Sequence, residues 1–356
     1  MTLGSSPLPP LYTAWITELL GDTPHNETRA TCDDCVMCNE VAPGASSFNP
    51  ETKCCTYLPL LANFLVGQVL ADEDPAGEIG RASVRERIAR GAAVGPMGLG
   101  LTASFERLYT QGGDAAFGQD RSMRCPHYIE EGGRCGVWKN RNSICATWFC
   151  KHLRGEVSRT FWDAVGELLA AIERDLARWC LLELDAPIAA IASALPAVRG
   201  SGTSSSASAA DAEVALWGSW AGRAEDFYRA CAARVATLDV PALLAVCGQE
   251  VHLRVKLTRA AWARLADSEP PPRLKMGSLV LLRSSREKQR VSTYSAFDPL
   301  EMPRAVFDAL HYFDGRTVEE ARAAIVSEGG PRLATSLIRK LADFEVLVPA
   351  GPAPKA

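Results

Sequence analysis

The chain has 356 residues and a formal net charge of −4 at pH 7. This length gives room for two or three domains that each bury an apolar core. A negative net charge offers no general attraction for polyanions, so we expect neither a nucleic acid partner nor a membrane partner.

The N-terminal region lacks the pattern of a targeting segment. The first twenty residues have no basic start, and Pro7, Pro9 and Pro10 interrupt them, so they do not predict a signal peptide. The most apolar stretch, residues 57–71, is too short to span a bilayer and contains polar side chains. We therefore expect a soluble, cytoplasmic protein.

The first 155 residues alternate irregular segments with short helices. Residues 22–56 are dense in Gly, Pro, Asn, Asp and Cys, which is typical of loops. So few periodic apolar stretches predict a domain that metal, rather than a large apolar core, holds together. The predicted elements are helices over 58–70 and 83–90, an irregular glycine-rich segment over 91–118, and a segment without clear period over 125–155.

The middle of the chain is helical by its pattern. Apolar residues recur at three- and four-residue steps from Phe161 to about Glu183, which predicts an amphipathic helix. The Gly-, Ser- and Ala-rich composition of Arg199–Asp211 predicts a flexible linker. Further helices are predicted over Val214–Val235 and Pro241–Gln249.

The C-terminal part predicts a separate unit of strands and helices. Two short strands flank a charged turn, and Thr317 stands where it would cap the start of a helix. The predicted elements are strands at Ser278–Leu282 and Val291–Tyr294, helices at Pro303–Tyr312, Val318–Ser327 and Pro331–Asp343, and a strand at Glu345–Val348.

These elements predict an α+β protein that is mostly helical. We expect three consecutive parts: an irregular, metal-stapled, cysteine-rich domain at 1–155, a helical region with the linker 199–211 at 156–265, and a winged-helix-like unit at 275–350.

The twelve cysteines are unevenly distributed along the sequence. A disulfide framework is not expected in a reducing compartment. Core packing would scatter thiols along the chain, whereas metal ligation concentrates them. Cys180, Cys231 and Cys247 lie in Ala- and Leu-rich helical sequence and are predicted to pack in a core. The nine predicted metal ligands are Cys32, Cys35, Cys38, Cys54, Cys55, Cys125, Cys135, Cys145 and Cys150.

The spacing of the first five ligands suggests how they would be used. Cys32, Cys35 and Cys38 form a C-x2-C-x2-C motif, which lets consecutive thiolates converge on one ion or cluster edge. The adjacent Cys54 and Cys55 would be strained as joint ligands of one ion, so such pairs more often serve two sites. Basic and aromatic residues interleave with the later cysteines, where they would offset thiolate charge and exclude water.

Nine thiols permit more than one arrangement of metal. Two 4Fe–4S clusters would use eight and leave one spare, whereas one cluster plus one zinc site is an equal alternative. All-sulfur ligation favours soft metals over Mg²⁺ or Ca²⁺, but it does not separate iron–sulfur from zinc. His127 and His152 lie close to predicted ligands and are candidate ligands or proton carriers.

One part of the sequence resembles a known family. The residues CPHY at 125–128 and the pattern GRCGVW-x-x-R-x-x-x-C at 133–145 are similar to the YkgJ-like cysteine-cluster family, whose signature is CxxCxxCC. The motif at 32–38 matches the first three cysteines of that signature, but Asn39 stands where the doubled cysteine would be. The resemblance covers residues 32–152 and implies a module that chelates zinc or iron.

Two further resemblances bear on function. Some proteins with a related cysteine module are flagellin lysine N-methylases, which implies S-adenosylmethionine-dependent methyl transfer as an alternative. The sequence shows no glycine-rich loop of a Rossmann methyltransferase. The C-terminal stretches PRAVFDALHYFDGRTVEEARAAI and SLIRKLADFEVLVPA are similar to PqqD-like winged-helix modules that bind precursor peptides. This implies a protein or peptide partner, although a purely structural winged helix has equal weight.

The residues leave two main functions open. In the first, an iron–sulfur centre acts in redox chemistry or in modification of a protein or peptide substrate. In the second, zinc staples a core-poor domain of a non-enzymatic adaptor or metal carrier. The sequence shows no Ser/His/Asp set, HExxH motif or Walker loop, so hydrolase and NTPase activities have no candidate residues.

Overall fold

The computed structural model describes residues 7–39, 47–187, 190 and 209–351. The protein is 53% helical with small antiparallel sheets, which confirms the expected α+β, mostly helical class. Within these residues, no helix combines the length and the apolarity that crossing a bilayer requires.

The chain forms two compact units, each assembled from separate stretches of sequence. Unit 1 takes its described residues from 1–26, 48–148 and 165–257, and unit 2 takes them from 27–47, 149–164 and 258–356. Each unit therefore depends on contacts between residues that are far apart in the chain. The three consecutive parts expected from the sequence stay a prediction about how the chain folds.

The helices vary from one turn to eight turns in length. Short 3₁₀ segments occur at Pro75–Gly77, Arg121–Met123, Trp138–Asn140, Gly218–Trp220 and Leu310–Phe313. The α-helices are α1 (Pro10–Leu20), α2 (Val36–Asn39), α3 (Asn63–Ala71), α4 (Glu78–Ala89), α5 (Ala103–Ala116), α6 (Ser143–Thr147), α7 (Gly155–Glu183), α8 (Ala209–Trp217), α9 (Ala224–Val235), α10 (Val240–Val246), α11 (Gln249–Ala266), α12 (Arg304–Asp308), α13 (Val318–Ser327) and α14 (Thr335–Asp343).

The described strands are short and pair only antiparallel. Unit 1 has a three-stranded sheet in the order β1–β3–β2 and the hairpin β4–β5; unit 2 has the sheet β7–β8–β9 and the pair β6–β10. The strands are β1 (Leu61–Ala62), β2 (Val94–Gly95), β3 (Gly98–Leu99), β4 (Tyr128–Ile129), β5 (Arg134–Cys135), β6 (Leu274–Met276), β7 (Val280–Ser284), β8 (Lys288–Ser292), β9 (Leu300–Pro303) and β10 (Leu347–Pro349).

The core of unit 1 is helical. Val165, Leu168 and Ile172 are buried along one face of α7, at the spacing that predicted an amphipathic helix there. Helix α3 packs closely against α9. A Cβ atom on Gly67 would lie only 1.9 Å from the carbonyl oxygen of Tyr228, so the two backbones approach each other at this glycine. Glycine is therefore required at this crossing of two helices.

The core of unit 2 is built from the C-terminal part of the chain. Its buried apolar residues lie between Leu274 and Leu347, and none of them is a cysteine. Helix α13 has the capping box that its sequence predicts: the Thr317 hydroxyl accepts from the N–H of Glu320, whose carboxylate accepts from the N–H of Thr317. The likeness to a winged helix stays a prediction.

Some local predictions were wrong. Residues 103–116 form α5 although an irregular segment was predicted over 91–118, and α11 was not predicted at all. The helix predicted from residue 58 begins at Asn63, because Leu61 and Ala62 pair with β3 instead. Within the predicted linker, residues 199–208 lie outside the described residues, whereas 209–211 begin α8.

Candidate metal centre

The nine predicted ligands are divided between the two units. No disulfide joins any cysteine of the described chain. The three cysteines predicted to pack in a core, Cys180, Cys231 and Cys247, are buried in unit 1. Unit 1 also holds Cys54, Cys55, Cys125, Cys135 and Cys145, and unit 2 holds Cys32, Cys35, Cys38 and Cys150.

The loop that carries Cys54 is fixed against segments much later in the chain. The N–H of Cys125 donates to the carbonyl oxygen of Cys55 at 2.8 Å. The ammonium group of Lys53 donates to the carbonyl oxygen of Gly133 at 2.9 Å, across 80 residues of sequence. These bonds place the Cys54–Cys55 pair beside both Cys125 and the hairpin β4–β5.

The hairpin β4–β5 returns Cys135 towards Cys125. Tyr128 on β4 pairs with Cys135 on β5. The loop between them contains Gly132 and Gly133, whose φ angles of 78° and 61° lie in the left-handed region that favours glycine. The chain therefore reverses within a few residues, and a second thiol comes back to the segment that carries the first.

Helix α4 contacts the turn that follows Cys135. A Cβ atom on Gly80 would lie 1.9 Å from the carbonyl oxygen of Gly136, so the two backbones touch only because residue 80 is glycine. Ser83 and Arg87 follow on α4 at about one and two turns from this contact. The close approach thus brings both side chains to the segment around Cys125.

Both ring nitrogens of His127 bind other protein groups. Arg87 Nη1 lies 3.3 Å from Nε2, Ser83 Oγ lies 2.8 Å from Nδ1, and the Ser83 hydroxyl donates to the Gly80 carbonyl at 2.8 Å. Because arginine only donates, these directions assign the His127 proton to Nδ1. Burial, aided by the charge of Arg87, lowers the pKa of His127 to about 3. His127 is therefore neutral, and each of its ring nitrogens has a hydrogen-bond partner in this structure.

A capped short helix holds Cys145. The side-chain oxygen of Asn142 accepts from the N–H of Cys145 at 3.0 Å, and its amide nitrogen donates to the carbonyl of Leu60 at 3.0 Å. Arg141 Nε donates to the carbonyl of Cys145 at 3.1 Å, and its guanidinium lies 3.7 Å from the ring centroid of Trp138. The backbone of Cys145 is thus fixed at both its N–H and its carbonyl.

A buried carboxyl group anchors the start of the same helix. The N–H and the hydroxyl of Ser143 donate to Glu173 at 2.5 and 3.0 Å, and the Tyr12 hydroxyl donates to the same group. Burial raises the pKa of Glu173 to about 7, although these hydrogen bonds act in the opposite direction. Removal from water therefore outweighs the hydrogen bonds at this carboxyl group.

Four thiols of unit 1 are close enough to interact electrostatically. Cys125 interacts with Cys54 and Cys135, and Cys145 interacts with all three. Burial is the main cause that raises the pKa of Cys125 to about 12. Loss of water is also the main cause that raises the pKa of Cys145, which keeps an exposed surface but has protein around its thiol. Without a metal, both groups stay protonated at neutral pH.

Arg87 is a buried cation beside these thiols, with 5% of the residue exposed. Its Nη2 donates to the carbonyl oxygens of Ala92 and Gly100 at 3.3 and 2.6 Å, and it forms no ion pair with a carboxylate of the described chain. Burial lowers the pKa of Arg87, whereas the neighbouring Cys125 raises it. Negative charge at Cys125 would therefore stabilise the Arg87 guanidinium.

The cysteines of unit 2 lie on two segments that meet at Asp298. This fully buried carboxylate accepts from Arg29 at 2.7 and 3.0 Å and from the N–H of His152 at 3.1 Å. Arg29 also donates to the carbonyl of His152 at 2.7 Å. Arg29 stands three residues before Cys32 and His152 two residues after Cys150, so both ligand segments lead away from one anchor point.

The thiols match a soft metal in chemistry, but they do not form a finished coordination shell. Over residues 7–39, 47–187, 190 and 209–351, no three His, Cys, Asp or Glu side chains form a group that could hold an ion as they stand. In unit 1 all four donors are sulfur, and Arg87 and Arg141 lie where they would offset thiolate charge. The donor set therefore fits iron–sulfur or zinc, and binding requires the side chains to move closer together.

Sequence reasoning missed three residues of this site: Ser83, Arg87 and Glu173. Basic residues were considered only near cysteines in the sequence, whereas Arg87 reaches Cys125 through the fold. One signal for Glu173 was present, because it is a carboxylate on the apolar face of α7, four residues after the buried Leu169.

No family model matches this chain, and no curated protein or solved structure matches it either.

Proposed function

We propose that Cys54, Cys125, Cys135 and Cys145 bind one iron–sulfur cluster in unit 1. The observation that carries this proposal is that hydrogen bonds across the chain, a hairpin and a capped helix bring these four thiols from three separate segments into one neighbourhood. Scattered core cysteines would not be gathered by a loop, a hairpin and a capped helix.

The charges around the thiols support a metal centre. Raised pKa values at Cys125 and Cys145 mean that the bare thiols hold their protons, so negative charge arises there only when a metal replaces the protons. Arg87 and Arg141 are both buried and interact with these two thiols. Their positive charges would offset the negative charge of a cluster held by thiolates.

The remaining ligands support a second centre in unit 2. Cys32, Cys35, Cys38 and Cys150 belong to that unit, and the anchor at Asp298 holds together Arg29, which precedes the first three, and His152, which follows the fourth. Two centres of four thiols each would use eight of the nine predicted ligands and leave Cys55 as the spare.

We infer from these centres a role in redox chemistry or in modification of a protein or peptide substrate. When bound, an iron–sulfur cluster supplies electron transfer or substrate activation. The polypeptide itself provides desolvated thiols, buried cations and a neutral histidine that holds Arg87 in place. Residues 275–350 are the proposed peptide-selecting part, through their likeness to PqqD-like modules.

The test is anaerobic purification of the full chain, followed by iron, sulfide and zinc analysis and by visible absorption. We expect brown protein that contains iron and sulfide, with clear loss of both in Cys125→Ser and Cys135→Ser. The control is Cys247→Ala, which removes a buried thiol outside the four and should keep the metal at a stability cost of about 1 kcal/mol. Colourless protein with stoichiometric zinc would instead support the adaptor or metal carrier, and unchanged metal in both Ser variants contradicts the site.

A further inference from the structure

A cavity of about 510 Å³ opens in unit 1 beside the proposed metal centre. Pro126, which directly follows Cys125, lines this cavity, and so does Arg87, which interacts with Cys125. The roles given so far to these residues concern the thiols alone. The cavity therefore adds a partly open space next to the place where the proposed cluster would sit.

One wall of the cavity is apolar and continuous with the surroundings of Cys125. Leu58, Phe105 and Leu108 line the cavity, and the same three residues belong to the apolar cluster against which Cys125 packs. A ligand with a hydrocarbon part would bury it on this wall, which favours binding by about 25 cal/mol per Å² of apolar surface removed from water.

The charge of the cavity is positive. Glu86 and Arg90 both line it, but they form an ion pair with each other at 2.5 Å. Arg87 has no such partner within the described chain, and its three hydrogen bonds use three of the five N–H groups of a guanidinium. Two N–H groups of this buried cation, which lines the cavity, are therefore not used by these three bonds.

The first turn of α5 strengthens this preference for an anion. Thr102 and Ser104 line the cavity at the start of this helix of 14 residues, and the Thr102 hydroxyl accepts from the N–H of Phe105 at 3.3 Å. The start of a helix carries partial positive charge and N–H groups without intrahelical acceptors. The helix end and the buried guanidinium therefore favour the same sign of ligand charge.

We propose that this cavity binds a small amphipathic carboxylate, with its carboxylate at Arg87 and its apolar part against Leu58 and Phe105. A single guanidinium without a carboxylate partner in the described chain matches a monoanion, whereas a phosphate dianion would call for further cations. This carboxylate would be the substrate class of the metal centre, and in that respect the inference rests on the proposed function. Binding of the carboxylate to the cavity itself requires no metal.

The first test is calorimetric titration of the full chain with 3-phenylpropionate, with its neutral analogue 3-phenylpropionamide, and with inorganic phosphate. We expect the acid to bind, and the amide and phosphate to bind more weakly by about tenfold or more, because a charge-assisted bond to Arg87 is lost or mismatched. Failure of the acid to bind, or equal affinity for acid and amide, would overturn the proposal. Tighter binding of phosphate than of the acid would overturn it as well.

The second test uses two exposed positions on α5, so that a failure to fold does not obscure the result. Ser104→Asp places a negative charge in the cavity, and we expect it to weaken 3-phenylpropionate binding by about tenfold. Thr110→Asp is the matched control, because residue 110 lies on the same helix but does not line the cavity. Equal affinity in both variants would contradict the assignment.

Metal analysis of the same samples separates this proposal from the proposed function. Protein that binds the acid but contains neither iron nor zinc keeps the cavity assignment and removes the metal centre. Protein that contains the metal but does not distinguish acid from amide keeps the centre and removes the cavity assignment.

Discussion

Cys54 and Cys55 are neighbours in the sequence but have different surroundings in unit 1. The thiol of Cys54 interacts with those of Cys125 and Cys145. Cys55 contributes its carbonyl oxygen, which accepts from the N–H of Cys125 at 2.8 Å. A backbone role survives a change of side chain, whereas a ligand role does not.

We therefore expect Cys54→Ser to lose bound metal and Cys55→Ser to retain most of it. A neutral hydroxyl is a poor donor to a soft metal, so the loss at position 54 follows from ligand chemistry. Iron, sulfide and zinc analysis of the two variants, purified side by side, measures the difference. Equal loss of bound metal in both variants would show that metal binding needs both side chains.

Glu173 makes the stability of unit 1 depend on pH. Its pKa is about 7 in the folded protein against an ordinary value of 4.5, because burial disfavours the charged form. Between these two values the folded state keeps a proton that the unfolded state has released. The contribution to stability is therefore complete below pH 4.5, and it is lost as the pH rises through about 7.

We expect Glu173→Gln to reduce the fall in unfolding free energy between pH 5 and pH 8. The wild-type contribution is on the order of 3 kcal/mol, since each pKa unit corresponds to about 1.4 kcal/mol. A glutamine stays neutral, and its side-chain oxygen still accepts from Ser143. Urea denaturation at several pH values measures how the unfolding free energy changes with pH in the wild-type protein and in the variant. The same pH dependence in both proteins would rule out Glu173 as its source.

At the scale of elements, α4 and the turn after the hairpin β4–β5 make a direct backbone contact at Gly80 and Gly136. The carbonyl oxygen of Gly136 lies where a Cβ atom of residue 80 would be, at 1.9 Å. An alanine in a helix is favourable over glycine by up to about 1 kcal/mol, but forced overpacking costs about 1–3 kcal/mol. The clash outweighs the gain in helix propensity.

Gly80→Ala should therefore destabilise unit 1 and move Arg87 away from Cys125, which lowers the metal content as well. Gly95→Ala is the control, because nothing lies within 4 Å of a Cβ atom built at that glycine. Thermal melts and metal analysis of both variants provide the comparison. A Gly80→Ala protein as stable as the Gly95→Ala protein would show that the backbones separate at little cost.

Elements with strong local signals were predictable from the sequence. Helix α13 has the predicted bounds Val318–Ser327, because Thr317 and Glu320 form a capping box that needs no distant partner. Helix α5 was missed because two glycines at 112 and 113 lowered its apparent propensity, and the backbone is in fact non-helical at Gly113. Helix α11 was missed although Val251 and Val255 show the spacing of a buried face.

Candidate ligands could be proposed from residue type, but their grouping in the fold could not. Residue type and density alone indicated nine candidate thiols. Which thiols meet depends on bonds across 70 or 80 residues of sequence, such as those from Cys125 to Cys55 and from Lys53 to Gly133. No local period encodes such contacts, and the same holds for Arg87.

At the scale of the whole molecule, we expect the two units to differ in how much they depend on metal. The core between Leu274 and Leu347 is apolar and contains no cysteine. The segments of unit 1 that carry Cys54 and Cys125 contain only short elements and turns. Removal of metal should loosen these segments but leave the C-terminal core folded.

Limited proteolysis before and after chelation tests this difference. We expect new cleavage within residues 49–56 and 124–148 only after metal is removed, while residues 274–349 stay intact in both states. Mass spectrometry of the fragments locates the cuts. Equal cleavage of both regions, or of neither, would show that metal does not control the fold of unit 1.

The discontinuity of unit 2 also has a consequence during synthesis. Arg29 binds both His152 and Asp298, and Asp298 lies 269 positions later, so this anchor point is incomplete until nearly the whole chain has been made. At about 5–20 residues per second, a ribosome needs roughly 15–50 seconds to cover that distance. For much of this interval Cys32, Cys35 and Cys38 lack the complete surroundings that unit 2 provides, and they are accessible to oxidants and to adventitious metal.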